Sequence, residues 1–287
     1  MATGFVLVFG ASSQIGHCLL PMLNAQGVKV IAVSRLPQRS RDEGVRWLRG
    51  ELPTSVTAGS GEFDAIEEIA CFAPLAALAA WISNARLPTL KRVVATSSMS
   101  AESKRESPVA AEREIAQRLR EGEQALARAC ESRGVAWTIL RPTLIYGVGR
   151  DRSLAPLARR AMRSRVFVLP PGRGLRQPVH AQDVASAVQA ALRIPEAGGS
   201  IIPIGGGERL TAAKMFVRVR ASLPVRTLPL RLPRFAVGAA MLAVSAARGP
   251  LSRLDSDLVA DNAELERLLG IHPRGFAPDS ATWNPEP

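Results

Sequence analysis

The first two thirds of the chain alternate short apolar runs with longer segments in which apolar residues recur every three or four positions. The run from Phe5 to Phe9 is apolar throughout, which is typical of a strand buried on both faces of a parallel sheet. A helix is predicted over 15–26, with Gly27 as its C-cap. Further strands are predicted over 28–33, 45–48, 65–70, 92–96, 136–140 and 201–204, and further helices over 73–84, 109–133 and 181–192.

Strand, helix and strand in repetition predict an α/β fold, a Rossmann-type doubly wound parallel sheet joined by right-handed crossovers. This repetition ends near residue 205. We therefore expect a Rossmann domain over 1–205, with a segment of a second domain inserted at about 150–176. The rest of that second domain is expected over 206–287, as a smaller, mainly helical C-terminal substrate domain.

The last third of the chain has a different composition. Residues 223–233 are rich in Pro, Leu and Arg, and residues 235–247 are almost all small or apolar. A stretch of 13 residues is too short to cross a bilayer, since a spanning helix needs about 20. We therefore predict no transmembrane segment and a buried or interface helix over 235–247, with a shallow contact on a membrane surface as the alternative. Another helix is predicted over 257–269, ended by Gly270.

The bulk composition fits a globular protein with a full core. The 287 residues are 47% hydrophobic and 22% charged. Cys18, Cys71 and Cys130 lack the spacing of metal ligands, so no metal site is expected. The N-terminus leads directly into an apolar strand pattern without a positive n-region or a cleavage site, which favours a cytoplasmic location.

The formal net charge is +12, and most of the cations are arginines. Such an excess forms either a solvated basic surface or a site for an anionic partner. Aromatic residues make up only 5% of the chain, which leaves no stacking platform for bases, so no nucleic acid is expected as a partner. Between residues 150 and 176 there are eight arginines and a single acid, Asp151, so this segment is a candidate for holding an anion.

The sequence GASSQIG follows the first predicted strand directly. Its first glycine allows a tight turn, and its last lets the next helix pack close to the sheet. The free N–H groups and the dipole of that helix suit a pyrophosphate. The loop therefore predicts a dinucleotide site formed by Gly10, Ser12, Ser13, Gln14, Ile15 and Gly16.

The end of the second strand distinguishes between cofactors. A carboxylate there would accept hydrogen bonds from a ribose 2′-OH and would repel a 2′-phosphate. Ser34 and Arg35 instead offer a hydroxyl and a guanidinium fork, which suit a phosphate. We therefore expect NADP as the cofactor, with NAD as the less favoured alternative.

Further segments resemble, in order and spacing, the extended short-chain dehydrogenase/reductases, the NAD-dependent epimerase/dehydratase family. They are GEL at 50–52, FDAIEEIA at 63–70, VVATSS at 93–98, RPTLIYGVGRD at 141–151 and QPVHAQDVASA at 177–187. The resemblance covers about residues 4–205 and implies a dinucleotide-binding Rossmann fold. It also implies that the cofactor contacts Glu51, Leu52, Ala70, Thr96, Pro142 and Thr143.

The resemblance implies a catalytic hydroxyl at Ser98, which would hold a substrate oxygen against the nicotinamide. The family's YxxxK pair is missing. With Glu123 aligned to the acid that usually follows the lysine, Ile115 and Leu119 occupy the tyrosine and lysine positions, and neither can carry a proton. The other candidates for a proton donor are Tyr146, which is the only tyrosine in the chain, Glu67 and Glu68.

In the family, the arginine-rich segment is where nucleotide-sugar phosphates bind. The resemblance therefore implies that Arg173, Arg176 and His180 contact a small-molecule substrate, with an anion as the candidate. The long helix forms a dimeric bundle in many relatives, which leaves a homodimer open. Two functions compete: an atypical NADP-dependent oxidoreductase or epimerase-like enzyme with a non-standard proton donor, and a non-catalytic dinucleotide-binding regulator or assembly protein.

Overall fold

The computed structural model describes residues 4–36, 43–54, 56, 61, 63–233 and 253–283. Strands and helices alternate along most of these ranges. The strands are β1 (Phe5–Phe9), β2 (Lys29–Ser34), β3 (Val45–Arg49), β4 (Ile66–Cys71), β5 (Arg92–Thr96), β6 (Ala136–Pro142), β7 (Ile145–Tyr146), β8 (Val166–Leu169), β9 (Leu175–Arg176), β10 (Val179–His180), β11 (Ser200–Ile204), β12 (Leu210–Thr211) and β13 (Leu228–Arg231). The helices are α1 (Gln14–Asn24), α2 (Leu75–Asn84), α3 (Ser100–Ser103), α4 (Ala110–Glu131), α5 (Ala155–Ser164), α6 (Ala181–Arg193), α7 (Ala212–Ala221) and α8 (Ala263–Leu269).

Seven of these strands form one parallel sheet in the order β11-β6-β5-β4-β1-β2-β3. This is the strand order of a doubly wound Rossmann fold, so the predicted fold class is confirmed. The chain starts in the middle of the sheet at β1, builds outward to β3, and then builds outward on the other side from β4. Ligands of such sheets bind outside the carboxyl ends of the strands where this direction reverses, which here is between β1 and β4.

Strand β1 contributes to both layers of the core because its side chains alternate between the two faces of the sheet. Val6 and Val8 belong to the buried cluster that contains α1 and α6, whereas Leu7 and Phe9 belong to the cluster that contains α2 and α4. All four side chains are buried. A strand that is buried on both faces has no polar positions, which explains its continuous apolar run.

A third buried cluster is separate from these two layers. It joins α5, β8 and α7 to Phe276 and Trp283 near the C-terminus. Strand β13 pairs with β8 as a two-stranded parallel ribbon. We call α5, β8, α7 and β13 the small unit. The predicted domain boundary at residue 205 stays a prediction, and the last strand of the sheet ends at Ile204.

Of the two helices predicted in the last third of the chain, one is found but begins later than predicted, and the other cannot be compared with the structure. The helix predicted over 257–269 was placed too early, since α8 begins at Ala263. Asp257 and Leu258 are instead held against Leu175: Asp257 Oδ1 accepts a hydrogen bond from Leu175 N at 2.7 Å, and Leu258 N donates to Leu175 O at 2.8 Å. The helix predicted over 235–247 lies outside the described residues.

Across the described ranges, no helix has the length and apolar character that crossing a membrane requires. In the same part of the chain, no three His, Cys, Asp or Glu side chains come together in an arrangement that could bind a metal ion. The three cysteines are buried thiols that form no disulfide with one another. Burial raises the pKa of both Cys71 and Cys130 to about 12, which makes these thiols poor nucleophiles.

Candidate functional site

The glycine loop lies at the reversal point of the sheet, between the carboxyl ends of β1 and β4. Gly10 has a φ of +70°, and a Cβ on it would lie 3.1 Å from the carbonyl carbon of Phe72, the residue after β4. A Cβ on Gly16 would lie 2.2 Å from the carbonyl oxygen of Ala11. Gly16 therefore excludes any side chain, and at Gly10 a side chain would be strained by the positive φ and crowded by Phe72. The backbone of the loop thus lies close to the sheet, and we call the loop together with the start of α1 the cradle.

The first turn of α1 provides the polar groups of this cradle. Ser13 is the N-cap, and its hydroxyl accepts a hydrogen bond from Gly16 N at 3.2 Å. Gln14 Oε1 is buried without a hydrogen-bond partner among the described residues. Ile15 points into the core and anchors the turn. A helix N-terminus beside a Gly-only turn fits the diphosphate of a dinucleotide.

The end of β2 closes one side of the cradle. Ser34 is buried, and its hydroxyl donates to the hydroxyl of Ser12 at 2.9 Å, which ties β2 to the glycine loop. The side chain of Arg35 is 70% exposed, and its Nη1 lies 3.7 Å from Glu51 Oε1 after β3. An ion pair this exposed and this long holds its partners weakly. Arg35 is therefore able to turn toward a phosphate at the same edge.

Arg150 is a member of this site that the sequence did not single out. It was counted among the arginines of the inserted segment, yet its guanidinium reaches back to the glycine loop, with Nη1 3.4 Å from Ser12 O. The side chain is half-buried. Next to it, Asp151 caps α5 through hydrogen bonds that its Oδ1 accepts from the N–H groups of Ser153 and Ala155. The sequence feature that could have identified Arg150 as a site residue is its position within RPTLIYGVGRD, three residues after RPTLIYG.

Comparison with known proteins agrees with this geometry. Residues 10–195 match the family model described as NAD(P)H-binding. The chain belongs to this NAD(P)H-binding family. Its cofactor class is therefore NAD(P), the class that the glycine loop predicts. No curated protein matches the chain in sequence.

Several solved structures share the fold at low sequence identity. MoeE5 in complex with UDP-glucuronic acid and NAD is 19% identical, with 97% of each chain covered and a TM-score of 0.72. UDP-glucose 4-epimerase from Thermotoga maritima, with UDP-glucose, is 16% identical, with 97% of each chain covered and a TM-score of 0.71. UDP-glucuronic acid 4-epimerase from Bacillus cereus, in complex with NAD, is 15% identical over 98% of this chain and 96% of that one, with a TM-score of 0.71. At the level of the fold, these structures confirm the resemblance to the extended short-chain dehydrogenase/reductases.

Ser98 lies just beyond the carboxyl end of β5, on the same edge of the sheet as the glycine loop. Its Oγ accepts a hydrogen bond from Ser100 N at 3.1 Å, which leaves its own O–H free to donate. Met99 N donates to Pro142 O at 2.9 Å, so the ends of β5 and β6 are joined here. Ser97 Oγ is buried without a hydrogen-bond partner in the described part of the chain. This strand end therefore offers the Ser98 hydroxyl to a bound molecule, and that of Ser97 is buried beside it.

The other predicted cofactor contacts differ in whether their polar groups are already hydrogen-bonded within the protein and in how exposed they are. Thr143 is buried, its N–H donates to Ile204 O at 2.9 Å, and its hydroxyl donates to Gln177 O, so neither of these donors is available to a ligand. Ala70 is buried in the middle of the sheet between Val8 and Val94. Thr96 and Leu52 are partly exposed, at the ends of β5 and β3 respectively.

Helix α4 carries Ile115 and Leu119, which the resemblance aligns with the family's proton-transferring pair, and that alignment stays a prediction. Glu123 is buried and accepts two hydrogen bonds from Arg141, at 2.9 and 2.5 Å, which fixes α4 against the end of β6. Glu123 and Glu102 together hold the pKa of Arg141 above its ordinary value, with the hydrogen bond to Glu123 as the largest cause. Ile115 and Leu119 lie two turns and one turn before Glu123, so they share its side of the helix. Ile115 is exposed.

Tyr146 and His180 pack against each other, Tyr146 buried and His180 partly buried. Tyr146 is fully buried, packs edge-on against His180 and Phe276, and donates to Gly275 O at 3.4 Å. Burial raises the pKa of Tyr146 and lowers that of His180. His180 Nδ1 accepts the hydrogen bond of Gln182 N at 3.1 Å and so caps α6. Both residues line a cavity of about 220 Å³. This environment supports packing and capping more than proton transfer.

The two predicted substrate arginines take different positions. Arg173 is exposed, and its backbone N–H donates to Asp255 Oδ1 at 3.0 Å. Arg176 is buried, and its Nη1 donates to the carbonyl oxygens of Leu175 and Ser256, at 2.8 and 2.6 Å. Its guanidinium thus holds the segment after residue 253 against β9. A ligand would have to compete with this interaction.

The strand carboxylates are not part of the site. Glu67 and Glu68 lie near the amino end of β4, at the opposite edge of the sheet from the glycine loop. Glu67 Oε2 lies 3.0 Å from Lys91 Nζ. Burial raises the pKa of Glu68, and the neighbouring Arg92 opposes the shift. The hypothesis that either residue donates a proton in the cleft is therefore wrong.

Proposed function

We propose that this protein is an NADP-binding oxidoreductase or epimerase-like enzyme of atypical type, with a non-standard proton donor. Its substrate would be a small or nucleotide-linked molecule. The observation that carries the proposal is a hydroxyl still free to donate, on Ser98, at the same sheet edge as an intact glycine loop. The fold shared with MoeE5 in complex with UDP-glucuronic acid and NAD supports it.

In this proposal each group has a limited role. The N–H groups at the start of α1 bind the diphosphate, and Arg150 neutralises part of its charge. The bound dinucleotide would supply the hydride chemistry. Ser98 donates a hydrogen bond to a substrate oxygen and fixes its position. Ile115 and Leu119 cannot exchange protons, so the proton would pass through Ser98 or water.

Cofactor choice rests on Arg35. We expect Arg35→Asp to weaken NADPH binding by about 1 to 3 kcal/mol, the range of a lost charge-assisted contact, and to leave NADH binding unchanged. Fluorescence titration of both dinucleotides measures this difference. Arg86→Asp is the matched control, because Arg86 is an exposed arginine whose partner is Asp64, away from the loop. An equal loss for both dinucleotides in Arg35→Asp would show that Arg35 does not bind the 2′-phosphate.

Arg150 should act on both dinucleotides alike, since each has the same diphosphate. We expect Arg150→Gln to weaken NADPH and NADH about tenfold, which corresponds to one hydrogen bond to a charged group. The neighbouring Arg152 is exposed, and Arg152→Gln should leave both affinities unchanged. Unaltered affinity in Arg150→Gln would remove Arg150 from the cofactor site.

Activity separates the enzyme from its alternative, a non-catalytic dinucleotide-binding regulator or assembly protein. The apolar pair Ile115 and Leu119 favours that alternative. Ketones, enones and nucleotide-sugars are to be screened for NADPH or NADH turnover with the wild type and with Ser98→Ala. Turnover that Ser98→Ala abolishes supports the enzyme. Tight NADPH binding without turnover of any acceptor supports the regulator.

A further inference from the structure

The excess of positive over negative charge in the chain comes from two segments. Residues 152–182 and 209–254 contain 16 of the 37 Lys and Arg residues and none of the 25 Asp and Glu residues. The remainder of the chain carries 21 basic and 25 acidic side chains. The net charge of +12 therefore comes entirely from these two segments, and the rest of the protein is slightly acidic.

The fold brings these two segments together in the small unit. The first supplies α5 and β8, and the second supplies α7 and β13. Strands β8 and β13 pair directly, and the two helices pack into the same buried cluster. Basic residues from two separate segments of the sequence are thus brought together in the small unit. Arg218 is paired with Glu208. The exposed basic residues of the two segments in the described ranges are Arg152, Arg160, Arg163, Arg165, Arg173, Arg209, Lys214, Arg218, Arg226 and Arg231.

An aliphatic row lies between these arginines. Leu228 pairs with Val166, and Leu230 pairs with Val168, so the four side chains share one face of the ribbon. The exposed fractions are 69% for Leu228, 49% for Leu230 and 45% for Val168. The residue between the two valines, Phe167, points the other way into the buried cluster. The outward face of the ribbon is thus apolar, and two exposed arginines lie next to it in the chain, Arg165 directly before Val166 and Arg231 directly after Leu230.

We propose that this face binds the surface of an anionic phospholipid bilayer. Aliphatic side chains enter the boundary between headgroups and acyl chains, while the surrounding arginines attract lipid phosphates. The sequence from 234 to 252, which connects β13 to the next described residue, continues the same composition of apolar residues and arginines without an acid. The attachment that we propose is peripheral, through the outward face of the ribbon.

Other occupants fit this face less well. A nucleic acid would be expected to stack its bases on aromatic side chains, but the large exposed apolar residues in the described ranges are all aliphatic. A second copy of the chain would bring together two surfaces that each carry a net positive charge, and like charges repel. An anionic lipid surface satisfies both the charge and the aliphatic row.

The experiment is flotation of the full-length protein with vesicles. Vesicles of phosphatidylcholine alone are compared with vesicles that also contain about 30 mol % phosphatidylglycerol. We expect binding only to the anionic vesicles, and weaker binding at high salt, because the arginine contribution is screened. Leu228→Ser/Leu230→Ser and Arg165→Gln/Arg231→Gln should each lower the partition about tenfold.

Val217→Ser is the matched control. Val217 is an exposed aliphatic residue of α7, on the side of the helix away from the buried Met215 and Val219, and its replacement should leave vesicle binding unchanged. Because all substituted side chains are exposed, circular dichroism should show the wild-type fold for each variant.

Three outcomes would overturn the proposal. One is no binding to anionic vesicles, or equal binding to both kinds of vesicle. Another is tight binding of an oligonucleotide that is retained in Leu228→Ser/Leu230→Ser, which would make the face a nucleic-acid site. The third is a wild-type dimer that the same variant dissociates without any lipid binding, which would make it an interface between copies.

Discussion

Two arginines each donate two hydrogen bonds to one glutamate, one pair in each half of the molecule. Arg141 holds Glu123 at 2.9 and 2.5 Å beside the predicted catalytic edge, and Arg218 holds Glu208 at 2.6 and 2.7 Å in the small unit. The two pairs differ in burial. The side chains of the first pair are 13% and 2% exposed, and those of the second are 44% and 36% exposed. Hydrogen bonds of similar number and length therefore do not imply equal importance.

The same difference extends to the two regions as a whole. The cofactor edge is built from backbone approaches and buried polar contacts, so few substitutions are tolerated there. The small unit carries its chemistry on exposed arginines and leucines, where most substitutions should be neutral for folding. The first region is recognisable by motif, whereas the second is recognisable only by the composition of its surface.

The largest effect is expected for the buried pair. Arg141→Met should lower the free energy of unfolding by about 3 to 5 kcal/mol, because Glu123 would be left buried without its partner. Arg218→Met should lower it by about 1 kcal/mol or less, since both groups of the exposed pair are solvated. Urea denaturation of both variants measures the contrast.

A double variant tests the reason for that contrast. Arg141→Met/Glu123→Met removes both buried charges and should recover most of the lost stability. If Arg141→Met costs no more than Arg218→Met, burial does not distinguish the two pairs. The comparison between the two regions would then fail.

The glycine loop gives the next largest effect. Gly16→Ala should destabilise the protein by about 3 kcal/mol and weaken dinucleotide binding, because its Cβ would overlap the Ala11 backbone. Gly27→Ala is the matched control. Gly27 also lies next to α1 and has a φ of +69°, but no atom lies within 4 Å of its added Cβ. Its cost should be about 1 kcal/mol, from the left-handed backbone alone, with unchanged dinucleotide affinity. Equal costs would indicate that the loop has room to relax.

The parts of the fold that sequence predicts well are those where local pattern and tertiary structure agree. The apolar run of β1, followed at once by Gly10, identifies the first strand and the loop together because both are consequences of a buried parallel sheet. The ribbon of β8 and β13 escaped prediction. Its strands have four residues each, Pro229 lies within β13, and the pairing joins distant segments. Such a pairing leaves no periodic signal in either strand.

The site shows the same limit. The cofactor loop is local, so its sequence alone places it. Arg150 reaches Ser12 across 138 positions of the chain, and its motif neighbours suggested a substrate role instead. Arg176 was expected to bind a phosphate, yet its guanidinium is bound to the carbonyl of Ser256, 80 positions away. Long-range partners of arginines depend on the packed fold, which composition does not reveal.

A smaller effect should appear in the pH dependence of stability. Burial lowers the pKa of His180 in the folded protein below its ordinary value of 6.5. The unfolded chain therefore binds the proton first as pH falls, and stability is lost below about pH 6.5. His180→Asn keeps an N-cap acceptor for α6 but cannot titrate, so its stability should fall less between pH 7 and about pH 5. Parallel stability curves for the two proteins would show that His180 does not contribute.

The smallest effect is expected on the outward face of the ribbon, and it bears most directly on the comparison between the two regions. Leu228→Ser/Leu230→Ser should change the free energy of unfolding by no more than about 0.5 kcal/mol, as should Val217→Ser, because all three side chains are exposed. Urea denaturation without lipid measures this, and vesicle flotation of the same samples reports on binding. A loss of more than about 1 kcal/mol for the leucine variant alone would mean that these residues are covered in solution. The small unit would then be a second packed region, and its arginines would border an interface inside the protein rather than an open surface.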